Sequence, residues 1–219
     1  MRLDFGQIVD YCRPIETIVP GVPGVPGVQG RILSVLAATQ TELTMTTVAR
    51  LADVSVNRAV AVLNHLYVLG IIQRREAGRS ALVSLSRENE AARLIISISE
   101  LRDRVIRRLQ DEARLMDPAP QSLIVFGSLA REEATAGSDL DVAVVIPQDM
   151  SSDDPDWVNT LGRWSDKARE IVGNTVNLLI VSREELSIHL HRDGSVWQEI
   201  ERDGILLVGN ELRAITNVH

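Results

Sequence analysis

The sequence predicts an α+β protein of two domains, and three observations predict it. Residues 30–69 carry helical apolar spacing punctuated by cap and glycine signals, and residues 71–85 carry two short strand runs around a turn. Residues past 121 alternate strands with helices, the order of a mixed sheet flanked by helices. The break at Asp117-Pro118-Ala119-Pro120 separates the two patterns, because proline cannot continue a helix. The expected organisation is an extended segment at 1–27, a first domain at 28–86, a connecting helix at 87–116 and a second domain at 117–219.

The elements follow in order. Gly21, Gly24, Gly27 and Gly30 recur every third residue around Pro20, Pro23 and Pro26, which is the collagen period. Three triplets are too few for a triple helix, so a semi-rigid extended lead-in is expected. From Gly30, Ile32, Leu33, Val35 and Leu36 give the stripe of a first helix. Thr44 is placed to cap a second over Thr46–Ala52, with Val48 and Leu51 inside. Ser55 is placed to cap a third that runs to Leu69 and stops at Gly70, with Val56, Val60, Leu63 and Leu66/Tyr67 on its inner face. A hairpin over Ile71–Arg75 and Ser80–Leu85 completes the order of a winged helix-turn-helix.

Arg87–Met116 reads as one long helix or two in series, with Leu94, Ile98, Leu101, Val105 and Leu109 on one face. Beyond the Pro-rich break, Ser122–Phe126 reads as a buried strand and Gly127-Ser128 as the start of a short helix. Leu140–Ile146 is a second strand, and a helix over Trp157–Val172 follows a polar loop. Thr175–Val181 is a third strand, and Glu185–Asp203 a further helix.

Composition narrows the function classes. Of 219 residues, 45% are hydrophobic and 24% charged, an ordinary globular balance. No stretch approaches the roughly 20 apolar residues that span a bilayer. Residues Met1–Phe5 lack the apolar core of a signal peptide. Cys12 is the single cysteine, so an internal disulfide is excluded and no Cys/His zinc cluster exists. A cytoplasmic protein without a membrane partner is expected. The net charge of −7 is unevenly spread. Residues 28–86 hold six arginines against three acids, while 117–219 hold eighteen acids against eight bases. The basic part suits a polyanion and the acidic part suits metal ions.

The chemistry concentrates in Phe126-Gly127-Ser128, ten further residues, and Asp139-x-Asp141. Gly127 admits a phosphate where a Cβ would obstruct it. Ser128 opens a helix whose free N–H groups face an anion, and Arg131 adds positive charge one turn later. Asp139 and Asp141 lie two apart at a strand start and project to one face. Two such carboxylates repel unless a cation lies between them, and hard oxygen ligands suit Mg²⁺ that also contacts phosphate. With Gly, Ser and Asp each at about 5–7% usage, the four fixed positions coincide about once in 10⁵ starting points.

The run Val125-Phe126-Gly127-Ser128-Leu129-Ala130-Arg131-Glu132-Glu133, closing with Ser138-Asp139-Leu140-Asp141-Val142-Ala143-Val144-Val145, resembles the minimal nucleotidyltransferases of the DNA polymerase β-like superfamily. The resemblance covers about residues 117–210 and implies a nucleotidyltransferase fold. It also implies Mg²⁺-dependent transfer of a nucleoside monophosphate from an NTP, usually ATP. On that resemblance Asp139 and Asp141 are the catalytic metal ligands, and Gly127, Ser128 and Arg131 bind the nucleotide. Small members of that family often act as antitoxins paired with a HEPN-type toxin and can modify a toxin tyrosine with AMP, so the resemblance implies such a partner. Two departures stand out. Asn177 stands where the family places a third carboxylate; its carbonyl oxygen can ligate a metal, but it carries no charge and cannot act as a base. Glu132 follows the arginine where the family often has glycine.

In the first domain, Ser55 starts the third helix and Asn57, Arg58, Asn64 and His65 face outward from it. Asn and Arg make bidentate contacts to adenine and guanine edges, and the second helix of such a motif enters the major groove. Arg74, Arg75 and Arg79 flank the hairpin, where a wing meets phosphates of double-stranded DNA. A balance of +3 is modest, so a homodimer is expected to multiply it. The combined expectation is a DNA-binding regulator carrying an NTP–Mg²⁺ site, with antitoxin-like autoregulation fitting both modules. The alternative is a non-catalytic regulator whose degenerate transferase domain senses nucleotide or acts as a scaffold.

Overall fold

The computed structural model describes residues 17–19, 22–23, 27–78, 80–131, 133–135, 137–147, 149–192 and 194–216. Most of the expected lead-in, Cys12, Arg79 and Glu132 lie outside the described residues. Strands β1 (Thr17–Val19) and β2 (Val22–Pro23) pair with each other. The rest forms two compact units that change over between Arg102 and Asp103. The α+β expectation holds, and no described helix is long and apolar enough to cross a membrane.

In the first unit, helix α1 (Gly27–Ala38) buries Ile32, Leu33, Val35 and Leu36. Strand β3 (Leu43–Thr44) leads into α2 (Met45–Leu51), whose cap Thr44 accepts from Thr47 N at 3.1 Å. Helix α3 (Val56–Val68) is capped by Ser55, which accepts from Arg58 N at 3.4 Å. Its buried face is Ala59, Leu63 and Leu66, whereas Val56 and Tyr67 are 46% and 50% exposed. The expected inner face is corrected by that rotation: small Ala59 lets the helix approach the core closely, and the ends of the apolar stripe turn outward. Strands β4 (Ile72–Ala77) and β5 (Ser80–Leu85) form an antiparallel hairpin, and β3 adds to β5 in the order β3-β5-β4. Helix α4 (Glu90–Ser99) is capped by Asn89.

Helix α5 (Leu101–Ala113) follows at once, so the connecting segment is two helices in series. The Ser99 hydroxyl donates to Ile96 O at 2.7 Å, a local bond that competes with helix continuation. The expected common apolar face is corrected too: Leu94 is 64% exposed, while Val105, Ile106, Leu109 and Ala113 are buried.

The second unit is built on a four-stranded mixed sheet. Strand β6 (Ser122–Phe126) runs into the single turn α6 (Gly127–Ala130), and β7 (Leu140–Val145) returns antiparallel beside β6. Helix α7 (Pro155–Val172) crosses over to β8 (Val176–Val181), which pairs parallel with β7. Asp154 caps α7, and Gly173, at φ +81°, ends it in the left-handed conformation that favours glycine. Its buried residues Trp157, Leu161, Trp164, Ala168 and Val172 recur at helical spacing.

The expected single helix at 185–203 is two, α8 (Arg183–Leu190) and α9 (Val196–Asp203). Gly194 at φ +71° and a fresh cap at Ser195 separate them. Strand β9 (Ile205–Gly209) and helix α10 (Leu212–Thr216) complete the unit, and the sheet order is β8-β7-β6-β9. On one face, Ile124, Ala143, Val145 and Val181 pack with Leu186, Trp197, Ile200, Leu212 and Ile215 from the last three helices. Strand alternation places Asp141 with Ala143 and Val145, and Asn177 with Val181, on that same face.

Candidate active site

The β6–β7 pairing brings the two halves of the motif together. Phe126 is the register partner of Asp141, so the chain turns out of β6 at Gly127 directly beside the carboxylate. Gly127 has φ +70°, a left-handed conformation unfavourable for residues with a Cβ. A Cβ there would run into Asp141 Oδ2 and lie 3.2 Å from Asp141 Cγ. The space a Cβ would take is therefore filled by the Asp141 side chain, which corrects the expectation that it is kept open for a phosphate. Sequence spacing does not reveal this packing, because it depends on the pairing register.

The parallel β7–β8 pairing places Asn177 opposite Asp141. Its Nδ2 donates to Asp139 Oδ2 and to Asp141 Oδ1, both at 3.2 Å. Ionised carboxylates only accept, so the amide must turn its NH₂ toward them. One neutral donor thus bridges two negative groups at the solvent edge, where Asp139 and Asn177 are exposed and Asp141 is half-buried. The donor set fits a hard divalent cation: two carboxylates converge on one point, and rotation of the amide would offer its carbonyl oxygen. Among the described residues no group of three or more His, Cys, Asp or Glu side chains could hold a metal ion. The third partner is the asparagine.

Ser128 is half-buried in α6, a single turn rather than an extended helix. Arg131 caps its C-terminal end and donates from Nε to Glu133 Oε2 at 3.0 Å. Arg131 also acts at longer range. The Asp203 carboxyl is held below its ordinary range chiefly by a hydrogen bond from Arg202, and the Arg131 charge adds to the lowering.

The family model described as "Putative nucleotidyltransferase DUF294" matches residues 75–175. That match contains Gly127, Ser128, Asp139 and Asp141 and ends two residues before Asn177. A solved structure described as a toxin–antitoxin with AMP-PNP aligns at 16% identity and a TM-score of 0.33, covering 52% of this chain and 80% of the other. No curated protein matches the chain.

The side chains expected to meet DNA fall on more than one surface. Asn57, Arg58, Asn64 and His65 are exposed on α3. Arg74 donates to Asn64 Oδ1 at 3.4 Å and to Glu76 Oε1 at 2.8 Å, joining the hairpin to α3. Arg75, one residue on, points to the other face of β4 and pairs with Glu42. That bond, more than the charge alone, lowers the Glu42 carboxyl below its ordinary value.

Proposed function

We propose that the second unit binds an NTP with Mg²⁺ and transfers its nucleoside monophosphate to a hydroxyl of a partner protein. The observation that carries this reading is the convergence of Asp139, Asp141 and the Asn177 amide beside Gly127. In the reaction, the acceptor oxygen bonds to the α-phosphorus and the bond to the bridging oxygen breaks. Pyrophosphate leaves and the acceptor proton passes to solvent. Asp139 and Asp141 would hold the metal, and Mg²⁺, when bound, supplies positive charge to the phosphate oxygens. The backbone N–H groups and hydroxyl at Gly127-Ser128 would supply donors for the triphosphate, and Arg131 exchanges Glu133 for phosphate. Asn177 positions the carboxylates and takes no proton.

The first unit, in this reading, is a winged helix-turn-helix on double-stranded DNA. Three helices followed by the β4–β5 hairpin support it, as do exposed Asn57 and Arg58 at the start of α3. The HEPN-type toxin partner rests on the sequence resemblance of residues 125–145.

Incubation with α-labelled ATP, Mg²⁺ and candidate partners tests the transfer. Label should pass to the partner and vanish in Asp139→Ala/Asp141→Ala; label that survives this variant refutes the assignment. A second reading, a non-catalytic nucleotide sensor, is favoured by the missing third carboxylate. Asn177→Asp separates the two: a large gain in transfer marks a native site that lacks only the acid. A mobility shift on the upstream region of its own gene tests the DNA module, which fails if Arg58→Ala and Arg79→Ala leave binding unchanged.

A further inference from the structure

Strand β8 is an open edge of the four-stranded sheet. Leu140 N donates to Thr175 O at 2.9 Å and Ile146 N to Val181 O at 3.1 Å, so the odd-numbered residues of this segment turn their backbone groups toward β7. The intervening Val176, Leu178 and Ile180 turn N–H and C=O to the free side. No backbone hydrogen bond among the described residues meets them there. The Ile180 residue is 42% exposed.

Open strand edges are ordinarily blunted by charge, proline, a bulge or a covering group. The opposite edge, β9, has two such devices. Its register with β6 shifts between Leu123 and Ile124, and Gln110 Nε2 donates to Leu206 O at 3.1 Å. Val176–Val181 holds no charged residue and no proline, and its one polar side chain is Asn177. The bare edge also connects two features. At one end Asn177 donates to Asp139 and Asp141. At the other, a groove of about 560 Å³ is lined by Ile146, Met150, Ser152 and Ile180. The unit around it is acidic, since residues 117–219 hold eighteen acids against eight bases. A second copy on this edge would bring two such units together, whereas a basic chain would be attracted.

We propose that β8 takes an extended, basic segment of the acceptor protein as an added strand, with an apolar side chain in the groove and the hydroxyl-bearing residue beside Asn177. This rests on the transfer reading above and adds how the acceptor is held. Main-chain bonds along the edge supply affinity, and the groove selects a side chain. Paired strands lie about 5 Å apart, so a residue opposite Asn177 is within side-chain reach of the carboxylates.

A short fluorescent peptide alternating valine and lysine around one tyrosine tests this on the full chain, by polarisation and by NMR amide exchange. The peptide should bind and slow exchange at Leu178 and Ile180 about tenfold. N-methylation of one alternating set of peptide nitrogens should weaken it about tenfold, and of the other set should not. Glutamate in place of lysine should also weaken it. Ile180→Pro removes a donor that faces outward, so the sheet keeps its bonds. That variant should weaken the peptide about tenfold and leave Mn²⁺–ATP binding within twofold, which also shows that it is folded. No peptide binding, or binding that ignores N-methylation and leaves the two amides unprotected, overturns the edge assignment while Mn²⁺–ATP binding leaves the cation site standing. A wild-type dimer that Ile180→Pro dissociates overturns it too, because the edge is then self-pairing. If the peptide results hold but Mn²⁺–ATP does not bind, the transfer reading fails and takes the acceptor role with it.

Discussion

Replacing Gly127 by alanine probes the joint between the glycine turn and the carboxylate pair. Two costs add. Alanine at φ +70° carries a left-handed penalty of about 1–2 kcal/mol. Its Cβ would also overlap Asp141 Oδ2 and crowd Asp141 Cγ at 3.2 Å, an overpacking cost of about 1–3 kcal/mol. The sum is about 2–5 kcal/mol on the second unit. The two costs separate in a double-mutant cycle. In an Asp141→Ala background the obstructing carboxylate is gone, so Gly127→Ala should cost only the conformational part. Urea denaturation followed by Trp fluorescence reads the four species, since Trp157, Trp164 and Trp197 all lie in this unit. The expected coupling is about 1–3 kcal/mol, well above the few tenths seen between independent sites. A Gly127→Ala cost that is the same in both backgrounds would refute the packing argument, and a cost near zero would refute the turn conformation as well.

Trp157 is fully buried in α7, and Trp157→Ala should destabilise the second unit by about 3–5 kcal/mol in the same denaturation assay. Ser182 and Glu185 form a capping box at the start of α8, so Ser182→Ala should cost about 1 kcal/mol, measured by the urea midpoint. The backbone and side-chain bonds of Ser182 hold the Glu185 carboxyl below its ordinary value of 4.5. A depressed carboxylate stabilises the fold above its unfolded pKa, so this contribution should fade as pH falls below about 4.5; NMR titration of Glu185 should show the lowered midpoint rise only part of the way in Ser182→Ala, because the Ser182 backbone N–H still donates to Glu185 Oε2 at 2.9 Å. Glu42→Gln should release Arg75 from its pair, and if β4 meets phosphate, the salt dependence of DNA binding should steepen by about one unit of slope. An unchanged slope removes Arg75 from the interface.

Much of the site was legible because its parts are local. A strand ending in Gly-Ser and a second strand opening on Asp-x-Asp can be read from period and spacing alone. The Asn177 bridge is of a different kind, since it depends on the β7–β8 register that pairs Asp141 with Asn177 across 36 residues. The conflict at Gly127 is equally non-local. In the fold, helix ends at Thr44, Ser55 and Gly70 follow local rules and were readable. The single helix expected at 185–203 fails because Gly194 and Ser195 are a stop followed by a cap, a signal present in the sequence but outweighed by the apolar spacing around it. Strand β9 was missed because Ile205–Gly209 is a five-residue apolar run, too short to show a period, and only its pairing with β6 makes it a strand. The exposure of Val56 and Leu94 shows the same limit: a stripe fixes a face, but the neighbour it meets decides how far the stripe extends.

The central claim is that Asp139 and Asp141 form a cation site joined to a nucleotide site at Gly127-Ser128. Titration of the full chain with Mn²⁺ in the presence and absence of ATP, followed by electron paramagnetic resonance, tests it most directly. Mn²⁺ binding should tighten with ATP and disappear in Asp139→Asn/Asp141→Asn. Equal Mn²⁺–ATP binding by wild type and that variant would contradict it.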